Sequence, residues 1–300
     1  MPDSIVSPLQ KYHEKNDAKF IDFAGWSMPF SYEGTLKEHN LVRTDKGYFD
    51  VSHMGRLEID ISYIEKLSNL ICSNILDLPD GKALYSIFTT TDGTALDDVI
   101  FWKFKSHIIL ICNAANHHKI NAHLEDQKIK YTDLTRDTAL IAVQGPNAIN
   151  AMSDLIEIPD AFSCLENDTY TYARTGYTGE DGLEIMVSID KLTELMEYLD
   201  VKDINPCGLG SRDTLRLEAS LPLYGFELTE EITPVEASLK WTITNNNEYL
   251  GSGVIDEQIA TGNHKILKKF VIDSRVIART GTYVKAGNVN GIVTSGNFSP

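Results

Sequence analysis

Apolar and polar residues alternate over positions 57–61, the periodicity of a strand, and Ser62-Tyr63-Ile64-Glu65 follows with the spacing of a capping box. A helix is expected there, with Ile64, Leu67, Ile71 and Ile75 as its buried stripe and Pro79 as its end. Strands are expected over 85–90, 95–104 and 107–112, the first two joined by the turn Asp92-Gly93, and Asn116 stands where it can cap a helix carrying Ile120 and Leu124. A strand, a helix, three strands and a helix in succession describe a split α+β sandwich with its helices on one sheet face.

Residues 138–144 read as a buried strand, and Gly145-Pro146 puts proline in the first turn of a helix bearing Ile149, Met152 and Leu155. Positions 169–188 are strand-rich, Asp190 is placed to cap a helix with the stripe Leu192, Leu195, Met196 and Leu199, and a helix over 212–218 sets Arg212 and Arg216 on one face. By contrast the first fifty residues read as irregular, rich in aromatics and histidine. His39 and His53 within or just after them read as hydrogen-bonded core groups. From about Asn245 short strands dominate, at 268–272, 282–285 and 291–294, as in the start of a small barrel. Ending at Ser299-Pro300, such a barrel keeps an unpaired edge, so the chain is expected to be a fragment or to lack its last strands.

With 300 residues and 42% apolar content, two or three domains are expected. The 43 acidic and 27 basic residues give a formal charge of −16, which repels phosphate backbones and anionic lipid, so nucleic acid and membrane are not expected partners. Cys72, Cys112, Cys164 and Cys207 stand far apart, which fits reduced thiols and no metal knuckle. No apolar run approaches a membrane span and the N-terminus carries no leader pattern, so a cytoplasmic protein is expected, or one already processed.

Two stretches carry candidate chemistry. In 175–185 Gly176, Gly179 and Gly182 let the backbone turn and approach a bound group, and Glu184 is a lone carboxylate among Leu183, Ile185, Met186 and Val187. A buried carboxylate there needs donors, which the planar N–H/NH2 edge of a heterocycle supplies in parallel; an exposed hairpin with Glu184 in water satisfies the same pattern. Asp97-Asp98 lies in an apolar strand, where neighbours face opposite ways, so one of them can enter a cavity and handle an amine proton, unless both are solvated at the strand entrance. Gly208-Leu209-Gly210 before a helix has neither dinucleotide-fold nor P-loop spacing, and Arg212 and Arg216 read as partners for carboxylates or for a ligand's acidic tail.

The motifs at 23–29 (FAGWSMP), 49–54 (FDVSHM), 96–100 (LDDVI), 143–146 (VQGP), 176–184 (GYTGEDGLE), 212–219 (RDTLRLEA), 223–225 (LYG), 233–236 (TPVE) and 291–300 (GIVTSGNFSP) run in order along the whole chain. Together they resemble the aminomethyltransferases, or T-proteins, of the glycine cleavage system, members of a larger folate-binding family. The resemblance implies an α+β, three-domain cloverleaf around a central folate channel: a discontinuous first domain, 1–50 with 138–244; an inserted α+β domain, 51–137; and a C-terminal β-barrel, 245–300, which is incomplete because relatives continue past the Ser-Pro. It implies Asp98 as the catalytic acid, Glu184 on the pterin edge with Arg212 beside it, and Tyr85, Asn113 and Tyr177 as further pocket residues, with no metal. Tetrahydrofolate is the implied co-substrate and lipoylated H-protein the implied partner. Alternatives of the same family are a folate-dependent demethylase and a non-catalytic folate binder. The relatives that maintain iron–sulphur clusters carry a cysteine in the stretch matching 176–180, where this chain has none.

Overall fold

The computed structural model describes residues 4–273 and 276–300. The first segment holds β1 (Ile5–Val6), α1 (Gln10–Lys15), β2 (Lys19–Phe23), β3 (Trp26–Ser31), α2 (Thr35–Thr44) and β4 (Gly47–Asp50), with β1, β3 and β2 forming a small sheet. It is therefore regular where irregular chain was expected. Helix α2 escaped the pattern because its inward face carries Glu38 and His39 beside Val42, so no apolar stripe marks it.

Next come β5 (Gly55–Asp60), α3 (Ile64–Ser68), β6 (Lys82–Thr89), β7 (Ala95–Lys103), β8 (His107–Cys112), α4 (His117–Asp126) and β9 (Tyr131–Asp133). The strands make an antiparallel sheet in the order β6-β7-β8-β5-β9. Leu67 of α3 and Ile120 and Leu124 of α4 pack on one face of it, as the sandwich reading requires. The helix expected to reach Pro79 instead stops at Ser68. Ile71 and Ile75 are buried all the same, because Ile71 pairs with Phe88 in an isolated bridge and the Cys72 amide donates to the Ile87 carbonyl. The expected caps also differ. Asp60 accepts from the Ser62 amide, no side chain caps α4, and the Asn116 amide goes to Asp97.

The third segment contains β10 (Thr138–Gln144), α5 (Ala148–Met152), β11 (Cys164–Glu166), β12 (Tyr170–Ala173), β13 (Gly182–Ser188), α6 (Leu192–Val201), β14 (Asn205–Pro206) and α7 (Leu209–Glu218). Its sheet runs β11-β12-β13-β10-β4-β14, so β4 and β10, which flank residues 51–137, are direct neighbours. Leu183, Ile185 and Val187 point with Ile141 and Val143 toward α6. On the opposite face Leu140, Ala142 and Met186 share a core with Trp102, Ile109 and Ile111 of the five-stranded sheet, so the two sheets look at each other. No side chain of Asp190 caps α6, whose N-cap is Lys191.

Beyond residue 245 the expected barrel is replaced. The segment begins with α8 (Ser252–Thr261), whose Ile255 packs in a core with Cys72, Ile87 and Tyr249; residues 268–272 form no strand; and β15 (Tyr283–Ala286) pairs only with β16 (Val289–Ile292). Among the described residues this is one hairpin and no closed barrel. The helix was missed because its apolar positions give it one buried residue, Ile255, and no stripe.

Asp50 and Arg56 fix the crossing between the two sheets. Burial alone raises the Asp50 carboxyl, but His13 at 2.8 Å, the Ser52 amide at 2.8 Å and the Ser7 hydroxyl hold it down to about 2. The Arg56 guanidinium, lowered to about 10 by burial, donates to the carbonyls of Ser52, Thr135 and Thr138. Buried charges are kept here by full hydrogen bonding.

Candidate active site

Strand alternation divides β7. Asp97, Val99 and Phe101 face the helices, whereas Asp98, Ile100 and Trp102 face the other sheet. Asp97 is fully buried, its Oδ2 accepting from the Asn113 amide at 3.0 Å and its Oδ1 from Asn113 Nδ2 at 2.9 Å and Asn116 Nδ2 at 2.6 Å. Asp98 lines a cavity of about 1490 Å³. It accepts from the Tyr85 hydroxyl at 3.0 Å and from Asn113 Nδ2 at 2.8 Å, so one amide bridges both carboxylates. Burial raises both carboxyls, and the charge of Asp98 raises Asp97 further, as expected of adjacent acids away from water. The Tyr85 ring stacks on Trp241, with centroids 5.7 Å apart.

The facing wall comes from β13 and α7. Glu184 is 4% exposed, and its cross-strand neighbours on β10 and β12 are Ala142 and Ala173, whose small side chains leave room above the carboxylate. Thr175 donates to it at 2.7 Å. The Arg212 guanidinium lies 4.6 Å from the centre of the Tyr177 ring, and the Tyr177 hydroxyl donates to the Pro222 carbonyl. Arg212 Nη1 is buried with no hydrogen-bond partner among the described residues, and burial lowers this guanidinium while the charge of Glu184 raises it. Among the described residues, Arg212 Nη1 and the Glu184 carboxylate thus present an unused donor and unused acceptor positions in one cavity.

Tyr85, Asp98, Asn113, Tyr177, Glu184 and Arg212 thus all line one cavity. His53 and Trp241 line it too; His53, expected as a hydrogen-bonded core group, is buried with Nδ1 lacking a partner among the described residues, and Trp241 lies outside every motif. Of the glycine turn expected to approach a ligand, Gly176 lines the cavity, and all three glycines also pack closely inside the protein. A Cβ on Gly176 or Gly182 would collide with the Gln144 side chain, and one on Gly179, at φ +84°, would come within 2.8 Å of Ala219. These glycines serve packing within the protein. The Gly208-Leu209-Gly210 turn likewise holds no phosphate, because Glu38 Oε2 occupies the α7 N-terminus and accepts the Gly208 amide at 2.8 Å. Among the described residues no group of three or more His, Cys, Asp or Glu side chains could hold a metal, and no helix is long and apolar enough to cross a membrane.

Residues 9–247 match the family model of the GCVT N-terminal domain. The chain belongs to the aminomethyltransferase (GCVT) family. It is 39% identical to an aminomethyltransferase of Chromobacterium violaceum, over 98% of this chain and 86% of that one, and 37% identical to one of Corynebacterium aurimucosum, over 100% and 88%. The crystal structure of the glycine cleavage system aminomethyltransferase T of Bartonella henselae superposes with a TM-score of 0.89 at 32% identity, covering 98% of this chain and 86% of that one. The aminomethyltransferase family and the glycine-cleavage T-protein role named from the motifs are therefore correct.

His53 should make folding acid-sensitive. Its imidazole, buried against the edge of Phe23 and with Nδ1 unpartnered, is lowered to about 3 by burial. Above about pH 6.5 the ring is neutral folded or unfolded and has no effect on stability; below it the unfolded chain takes up the proton and the folded chain does not, down to about 3. The folded state should lose about 1.4 kcal/mol per pH unit from this group in that window. Replacing His53 with Gln should therefore shrink the stability difference between about pH 7.5 and about pH 5 by about 2 kcal/mol in urea unfolding. Identical pH dependence in the two proteins would mean that His53 is hydrated or protonated in the folded chain.

Proposed function

We propose that the chain transfers the one-carbon unit of the aminomethyl group on the dihydrolipoyl arm of H-protein to tetrahydrofolate, giving 5,10-methylenetetrahydrofolate, ammonia and the reduced arm. The observation that supports this reading best is the cavity itself, with Asp98 on one wall and Glu184 beside the orphan Arg212 Nη1 on the other. Its volume of about 1490 Å³ exceeds the roughly 300–1,000 Å³ typical of a single small-molecule site, which suits a folate and a lipoyl arm together.

Glu184 accepts the paired N–H groups of the pterin edge, and Arg212, stiffened by Tyr177, supplies its free donor to the same ring. Bound folate supplies the two nitrogens that replace sulphur and nitrogen on the migrating carbon. Two bonds to that carbon break and two form, and the two protons displaced from the acceptor nitrogens go to the leaving sulphur and the leaving amine. Asp98 is the carboxyl placed to orient the amine and manage those protons, and Tyr85 and Asn113 fix its rotamer. Residues 1–50 with 138–244 form the folate-holding unit in this reading and 51–137 the inserted one, a division supported by the pairing of β4 with β10. With 245–300 as the third unit, the three lobes surround the cavity in a cytoplasmic enzyme. Ammonia should appear when the chain is mixed with tetrahydrofolate and aminomethyl-loaded H-protein; none released with either reactant at saturation would sink the reading.

A further inference from the structure

The turn between β12 and β13 is held from inside by one amide. Gln144, the last residue of β10, is fully buried. Its Nε2 donates to the carbonyl of Thr175 at 3.1 Å, and its Oε1 accepts from the Thr178 hydroxyl at 2.9 Å. The amide fills the space that a side chain on Gly176 or Gly182 would need. From outside, Arg43 Nη1 donates to the Thr178 carbonyl at 2.6 Å and to Glu180 at 3.0 Å, while its other nitrogens bond Glu218 and the Leu215 carbonyl on α7. Thr178 is therefore gripped by its hydroxyl on one side and its carbonyl on the other. Thr175, held by its carbonyl, donates its hydroxyl to Glu184, and between Thr175 and Thr178 lies Tyr177, whose ring carries the Arg212 guanidinium.

We propose that Gln144 is a positioning residue for the folate-binding wall: without lining the cavity, it sets Thr175 and Thr178 and through them the Glu184 carboxylate and the Tyr177 ring. A buried amide with both ends engaged admits one orientation of the turn, whereas a turn with three glycines has many when released. The inference rests on the folate reading above. Its distinguishing mark comes from topology. Asp98 sits on the other sheet and takes its bonds from Tyr85 and Asn113, neither of which Gln144 touches, so disturbing Gln144 should weaken binding and spare chemistry.

The test uses Gln144→Ala and Thr178→Val, the second keeping volume and removing the hydroxyl with its bonds to Gln144 and from the Glu180 amide, each checked by a melting curve. Tetrahydrofolate Kd by calorimetry and its KM in ammonia release should rise about tenfold or more in Gln144→Ala and about threefold in Thr178→Val, with kcat at saturating folate within about threefold of the unaltered chain. If Gln144→Ala does not fold, Thr178→Val decides alone. A folded variant with unaltered Kd, or one whose kcat falls while KM stays, overturns the inference and leaves the folate reading standing. An unaltered chain that binds no tetrahydrofolate overturns both.

Discussion

Asp98→Asn should lower turnover by roughly two or more orders of magnitude while leaving fold and folate binding nearly intact, the scale for removing a positioned proton-handling group. The fold should survive because an amide fits the same cradle. Its oxygen can still accept from Asn113 Nδ2, and its NH2 can donate to the Tyr85 oxygen in place of the present bond. Asp97→Asn should do the reverse. Both Asp97 oxygens accept from amide donors, so an NH2 there meets Asn113 or Asn116 donor to donor and costs about 1–3 kcal/mol of stability. Turnover should fall by less than about tenfold, through the Asn113 amide that the two carboxylates share. Ammonia release at saturating tetrahydrofolate, with a melting curve for each variant, measures both. Turnover lost in Asp97→Asn and kept in Asp98→Asn would reverse the assignment of the two residues. If neither variant is impaired, a folate-binding role without chemistry takes the place of aminomethyl transfer.

Glu184→Gln should weaken tetrahydrofolate binding by roughly 2–3 kcal/mol, about 30- to 150-fold in Kd. The substitution keeps the shape, and the Thr175 hydroxyl can still donate to the remaining oxygen, so the strand and its pairing with β10 and β12 are retained. What changes is the cavity side of the group, where one acceptor of the pterin edge becomes a donor, and the charge facing Arg212, which disappears. The loss should be larger than that of a neutral hydrogen bond because the partners are desolvated between two alanine neighbours and the Tyr177–Arg212 pair. Calorimetry giving equal affinity for the two proteins would remove Glu184 from the site.

Local patterning determined much of this protein. The strands at 107–112 and 138–144 are as the sequence marks them, because period-two alternation and continuous apolar runs are properties of consecutive residues. The same alternation required Asp97 and Asp98 to part, and the ordered motifs named the family. Tertiary structure alone decided the rest. It ended α3 at Ser68 although the stripe continued, because pairing of Ile71 with Phe88 buries the same side chains in another conformation. It made a helix of residues 35–44, whose inward Glu38 and His39 are satisfied in part by Gly208, Thr214 and Glu218, partners some 170 residues away, beside the local Tyr32 and Gly34 amides on Glu38. And it gave the glycine turn its inner packing, because whether Gly176 and Gly182 meet the Gln144 amide depends on where β10 ends beside β13, a long-range register that no local pattern encodes.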